Sequence, residues 1–182
     1  MRRCNALLTA VMMGLLLIHA VAGIFEMIGW ISGGNPVLSI LSWALVFFVC
    51  LHMVIGCRLT WDTLVAIRQA KASYYKENKR FWACRISGLA LVVLILFHVL
   101  LFLTKDTGVI RLAYFGPLQL ATQLLMVLCL GIHVLINVRP AIIAFGCRSL
   151  KPYALDILII ISVLLLVTGL AFGVYYLRWI RI

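Results

Sequence analysis

Acidic residues are nearly missing from this chain: five Asp and Glu stand against 16 Lys and Arg in 182 residues. Only Glu26 reads as lying at membrane depth. A proton relay across a membrane usually recruits chains of Asp or Glu, so that function class has little to work with. Cysteine motifs are missing too. No C-x-x-C-H occurs, which excludes covalent c-type haem on this pattern, and no C-x-x-C pair points to zinc or iron–sulfur. The six cysteines, Cys4, Cys50, Cys57, Cys84, Cys129 and Cys147, read as buried small hydrophobes, with their thiols reduced, rather than as a disulfide framework. Short alternating apolar segments, the mark of β-barrel spans, are absent.

What fills the chain is apolar. Hydrophobic residues make up 65% of it, with a mean hydropathy of +1.17, more than a soluble domain of this length needs. A spanning helix takes about 20 mainly apolar residues. Five such runs occur: Leu7–Trp30, Val37–Leu59 with an extension to Ile67 open, Ile86–Leu103, Leu118–Val138 and Ile157–Leu177. Short connections leave little for a soluble part. The expected fold is all-α, a single domain over residues 1–182 built as one integral membrane bundle of five transmembrane helices.

The net charge of +11 could suggest nucleic acid, but its distribution argues for membrane topology and no nucleic-acid partner. Arg2, Arg3, Arg58, Arg68, Lys71, Lys76, Lys79, Arg80, Arg85, Arg139, Arg148 and Lys151 fall on one side of the runs. Lys105, Arg111, Arg178 and Arg181 fall on the other. The positive-inside rule then places the N-terminus and connections 2–3 and 4–5 in the cytoplasm and the C-terminus outside, in a plasma (inner) membrane crossed several times. The basic stretch RQAKASYYKENKR serves topology and anionic lipid contact, or adds a docking surface for a cytoplasmic partner. The N-terminal MRRCNALLTAVMMGLLLIHAVAG resembles a cleavable signal peptide, with A-x-A at Ala20–Ala22. The apolar stretch continues to Trp30, and cleavage would remove His19. A retained first helix is therefore expected.

Histidine is confined to the apolar runs. His19, His52, His98 and His133 lie one in each of the first four; no connection contains one, nor does the fifth run. One isolated histidine at membrane depth is explained by an interhelical hydrogen bond worth about 1 kcal/mol. Four, with none elsewhere, call for more. His52 and His133 both stand in H-x-x-I-x-x-R, six residues before Arg58 and Arg139, so each sits about 9 Å from the inner charge layer. His98, thirteen residues after Arg85, and His19, fourteen after Asn5, lie about 20 Å in by the same rise. The four thus fall on two levels: His52 with His133 inside, His19 with His98 outside. Two levels about 11 Å apart cannot converge on one metal ion. Two histidines at one depth on different helices can ligate one haem iron from both faces. The pattern reads as a di-haem b-type cytochrome with bis-histidine ligation.

Several neighbours keep two readings each. Gly23 and Gly56, four residues after His19 and His52, with Gly14 and Gly131, give room for a porphyrin or for close helix packing. Arg58 and Arg139 pair with haem propionates or end their helices at the interface. Glu26, two turns past His19, binds or protonates quinone or is an interfacial carboxylate in water. Trp30 reads as an interface anchor.

The segment FWACRISGLALVVLILFH, Phe81–His98, resembles the R-[IV]-[ST]-G segment followed by apolar residues and His in membrane anchors of succinate dehydrogenases and fumarate reductases. Five spans, a histidine in each of the first four and a histidine-free fifth resemble the single-polypeptide di-haem anchors of the menaquinone-linked enzymes. In architecture the resemblance covers nearly the whole chain; in residues it rests on RISG and the four histidines. It implies two haem b groups, a proximal one on His52 and His133 and a distal one on His19 and His98. It also implies a cytoplasmic FAD-bearing flavoprotein and an iron–sulfur subunit docked on the inner face. Electrons would pass between them and a menaquinone near the outer side, with no succinate chemistry in this non-catalytic subunit. Some relatives carry a glutamate two residues before the fourth-helix histidine. Here that position is Gly131, which puts a proton path through it in doubt. Two other readings stay open: a di-haem cytochrome b subunit of a different membrane oxidoreductase, and a haem-free transporter or structural bundle whose histidines only hydrogen-bond.

Overall fold

Asn35 and Pro36 show how local chemistry starts a long span. The Asn35 side chain accepts from the backbone N–H of Val37 (2.9 Å) and Leu38 (3.4 Å), and Pro36 fills the first helical position, where no N–H is needed. The computed structural model, which describes residues 2–71, 78–102, 104–106, 109–111, 115–144 and 152–180, has five helices among them. They are α1 (Arg2–Ile28), α2 (Pro36–Ala70), α3 (Lys79–Phe102), α4 (Pro117–Ala144) and α5 (Ala154–Ile180). A short antiparallel hairpin, β1 (Thr104–Asp106) with β2 (Val109–Arg111), stands between α3 and α4, pairing Lys105 with Ile110. All five helices are long and apolar enough to cross a membrane.

The helices outrun the apolar runs that announce them. α2 has 35 residues, about 52 Å at 1.5 Å per residue, against a hydrocarbon core of about 30 Å. It passes Leu59 and Ile67 and ends only at Lys71, whose left-handed φ of 49° turns its N–H back to the Arg68 and Ile67 carbonyls. α3 starts at Lys79 rather than Ile86, and α4 continues beyond Val138 to Ala144. Hydropathy marks the lipid-facing stretch, whereas Lys and Arg are good helix formers and carry the same helix past it. Arg58 and Arg139 therefore do not end their helices. Trp30 lies beyond α1, 75% exposed and stacked on Phe25 at 5.5 Å.

Pro140 inside α4 removes the N–H that would reach the Ile136 carbonyl. The Arg80 guanidinium on α3 donates to that carbonyl instead, at 3.4 Å. At the opposite end of the bundle Arg178 of α5 donates to the Met27 carbonyl at 2.9 Å, serving an orphan acceptor in the last turn of α1. Gly29 follows with φ +82°, and a Cβ there would come within 2.6 Å of the Arg178 guanidinium.

Extensive helix contact follows the order α2–α1–α5–α4–α3, with a weaker α1–α4 contact. Two hairpins, α1–α2 and α3–α4, are thus joined mainly through α5. The tightest apolar cluster lies at the end away from the basic connections, where Phe115 and Phe172 stack at 6.2 Å with Met27 and Ala171. Elsewhere large apolar side chains such as Ile40, Leu89, Leu128 and Leu166 cover the outside. In water that would be a liability; in lipid it is the expected surface, and specific bonds and small residues then hold the helices together.

Replacing Arg178 by Ala is expected to cost about 1–2 kcal/mol, and Gly29→Ala about 1–2 kcal/mol through its backbone strain. The double variant should lose less than the sum, because alanine at 29 already displaces the guanidinium. Unfolding in detergent measures all three; strictly additive losses would show that Gly29 does not seat Arg178.

Candidate functional site

Each of the first four helices delivers its histidine to the space between the two hairpins. His19 on α1 and His98 on α3 bring their ring centroids to 5.9 Å with planes at 83°, an edge-to-face approach. His52 on α2 and His133 on α4 lie within electrostatic reach of each other and of Arg85 on α3. The outer pair makes ring contact, whereas the inner pair is related only through this longer-range interaction.

The hydrogen bonds run inside the hairpins, and they decide which nitrogen each ring offers. His19 Nδ1 meets Ser42 Oγ at 3.0 Å, and the Ser42 hydroxyl donates its one proton to the Leu38 carbonyl at 2.8 Å. Ser42 can then only accept, so His19 Nδ1 carries the hydrogen. The same construction recurs in the other hairpin. His133 Nδ1 meets Ser87 Oγ at 3.0 Å while Ser87 donates to the Cys84 carbonyl at 3.1 Å. His98 Nδ1 meets the Gln123 side-chain carbonyl oxygen at 2.7 Å, and Gln123 is only 1% exposed. In all three rings the assignment follows from the partners and puts the lone pair on Nε2. These bonds satisfy the ordinary requirement of a polar side chain at depth, yet each uses Nδ1 and leaves the ligating electron pair on the other nitrogen. Among the described residues His52 Nδ1 is buried without a hydrogen-bond partner.

The RISG segment, Arg85–Gly88, turns out to be the seat of the inner pair. Ser87 is 7% exposed and takes the His133 proton. The His133 ring lies beside Gly88: an added Cβ would stand 3.4 Å from the ring's Cε1, in van der Waals contact. Arg85 reaches towards α2, with its guanidinium 3.9 Å from where a Gly56 Cβ would be, and packs over the Phe81 ring at 5.0 Å. Its Nε is buried with no hydrogen-bond partner among the described residues. Asn137, one turn after His133, donates to the His133 carbonyl at 2.7 Å and accepts from the Cys84 thiol at 3.1 Å.

The glycines divide. Among the described residues no atom comes within 4 Å of a Cβ added at Gly14 or Gly23, and only Arg85 approaches one at Gly56, at 3.9 Å. Gly131 does pack, 3.5 Å from Leu165.

The arginines six residues after the inner histidines go elsewhere. Arg58 is exposed and pairs with Asp62 at 3.4 Å on its own helix, and Arg139 is exposed as well. Six residues are 1.67 turns, which swings the side chain about 120° away from the histidine's face. The H-x-x-I-x-x-R spacing sets depth without setting direction. Glu26 is half-buried and makes no ion pair or side-chain hydrogen bond among the described residues. Cys50 and Cys57 are exposed on the outside of α2 rather than buried, while Cys84 and Cys129 are half-buried; Cys4 and Cys147 lie outside the side chains described. Among the described residues no three His, Cys, Asp or Glu converge.

Sequence pattern alone did not single out Ser42, Gln123 and Asn137, and it marked Arg85, Ser87 and Gly88 only as a signature. The available signal was a polar or small residue on the helix that is antiparallel to each histidine. Compared with protein-family models, curated proteins and solved structures, the chain matches none.

Ser42→Ala, Ser87→Ala and Gln123→Leu are each expected to cost about 1 kcal/mol and to shift only their own histidine from the Nδ1–H form towards a tautomer mixture. Imidazole 15N shifts of a metal-free, detergent-solubilised preparation report this, because a metal on Nε2 would itself fix the Nδ1–H form. A pure Nδ1–H ring persisting in all three variants would refute the assignment.

Proposed function

We propose that the chain is a di-haem b-type cytochrome and the membrane anchor of a succinate dehydrogenase or fumarate reductase-type complex. It would pass electrons between a cytoplasmic flavoprotein and iron–sulfur pair and membrane menaquinone. The observation that carries the reading is the construction of the histidine pairs. Hydrogen bonds within the hairpins hold Nδ1 of His19, His98 and His133, and the His19 and His98 rings approach each other across the space between hairpins.

The residues present fit the group. His19 and His98, whose ring centroids lie 5.9 Å apart across the space between the hairpins, would supply the ligands for one haem iron. A ligating histidine ordinarily donates its other ring N–H to a hydroxyl, carbonyl or carboxylate, as His19, His98 and His133 do here. Gly14, Gly23 and Gly56 supply open helix surface beside the ligands. His52 and His133 would hold the inner haem, and His19 and His98 the outer one. Arg85, a half-buried cation whose Nε is buried and lacks a hydrogen-bond partner among the described residues, would meet a haem propionate as a charge-assisted donor, in place of Arg58 or Arg139. Bound haem supplies a one-electron carrier at each level.

The rest of the chain orients the path. The basic connections would face the cytoplasm by the positive-inside rule, so His52 and His133 stand nearer the soluble partners. Glu26, towards the far end of α1, is the acid placed to hold or protonate a quinone there. The anchor performs no succinate chemistry.

A reduced-minus-oxidised spectrum of the purified membrane protein should show a b-type signal at two haems per chain. His52→Ala and His133→Ala should each remove the same haem and spare the other; His19→Ala and His98→Ala should remove the second. Lack of a Soret band would leave the 5.9 Å pair as a plain aromatic contact and sink the reading, and loss of different haems from the two inner variants would refute the pairing. Flavin and iron–sulfur signals should copurify with the chain; haem with a different soluble partner would instead favour another membrane oxidoreductase.

A further inference from the structure

Two exposed arginines at the basic end of the α3–α4 hairpin share a groove that the haem reading does not use. It is a cavity of about 440 Å³ between the last turns of α4 and the first turns of α5. Arg80 and Arg139 line it at one side, and Leu135, Ile142, Ile143 and Leu158 are among its apolar walls. Ile143 is 55% exposed, so the apolar part opens to the outside of the bundle, where lipid tails would be.

Among the described residues the two charges have no acidic partner. Arg80 spends one of its five N–H donors on the Ile136 carbonyl that Pro140 leaves without its helical partner, which holds the guanidinium at the groove. Neither Arg80 nor Arg139 forms an ion pair among the described residues. Asp156, in the first turn of α5, does not line the cavity. Two guanidinium groups over an apolar trough, at the end of three spanning helices, match one class of ligand: a phosphate-bearing headgroup with acyl chains attached.

We propose that this groove is a binding site for an anionic phospholipid, with Arg80 and Arg139 on the headgroup phosphate and the apolar residues of α4 and α5 along an acyl chain. The site is independent of haem. It gives Arg139 a role that its position relative to His133 does not.

Native mass spectrometry of the full chain, titrated with phosphatidylglycerol or phosphatidylcholine in detergent, tests it. The wild type should bind phosphatidylglycerol preferentially. Arg80→Gln and Arg139→Gln should each lower that preference about fivefold, and Arg80→Lys with Arg139→Lys should retain part of it. Ile143→Trp keeps both charges but fills the trough, so it should weaken binding of the lipid while leaving binding of inorganic phosphate unchanged. Arg68→Gln and Lys71→Gln, at the same end but outside the groove, should change nothing. The proposal is overturned if the glutamine pair keeps the wild-type preference, or if Arg68→Gln and Lys71→Gln lower it as much. Competition by inorganic phosphate at the lipid's own concentration would overturn it too, showing an anion site without a lipid. So would burial of the groove by a protein subunit in the intact complex, read as protection from modification of both arginines there but not in the isolated chain.

Discussion

Hydrogen bonds from histidine Nδ1 to Ser42, Ser87 and Gln123 tie each helical hairpin together and at the same time choose the tautomer of the ring. In lipid the first effect matters because helices gain no hydrophobic driving force for association, leaving close packing and hydrogen bonds to hold them. The second effect matters because an imidazole has one lone pair to offer once the other nitrogen is committed. The serines favour the commitment through their own carbonyl bonds: while a hydroxyl gives its proton to Leu38 or Cys84 it can only accept. Everything proposed for the site depends on this arrangement.

The division of labour between helices follows from it. Bonds inside a hairpin are made by neighbours in sequence, joined by a short connection or by β1 and β2. The His19–His98 and His52–His133 relations cross between hairpins, where backbone contact is slight and α5 does the joining. A helix without histidine suits that joining role. It packs on α1 and α4 and leaves the space between the hairpins to the side chains. Its end is pinned by Arg178 on the Met27 carbonyl.

The basic end shows the same economy with charge. Arg80 repairs the carbonyl that Pro140 exposes, Arg85 lies beside the inner histidines, and Arg58 turns outward to Asp62. All are arginines on the same side of the bundle, and all count equally in the positive-inside rule. Their separate roles come from helix phase, which a charge count does not contain.

Composition and periodicity by themselves determined that five apolar helices would form, which of them carry histidine, and at what relative depth, because span length and rise per residue are properties of one helix. The helix ends were less legible: hydropathy stops at the lipid boundary, while α2 continues to Ala70 because Lys and Arg favour the helix as much as Leu does. Direction was not legible at all. Arg58 stood at the right depth for the inner pair and points away from it, whereas Arg85, read only as a landmark, lies within electrostatic reach of it. Ser42 and Gln123 are ordinary polar residues until α1 lies on α2 and α3 on α4. Which atom of a ring is offered, and to which opposite ring, is a relation between helices distant in sequence, and only their packing decided it.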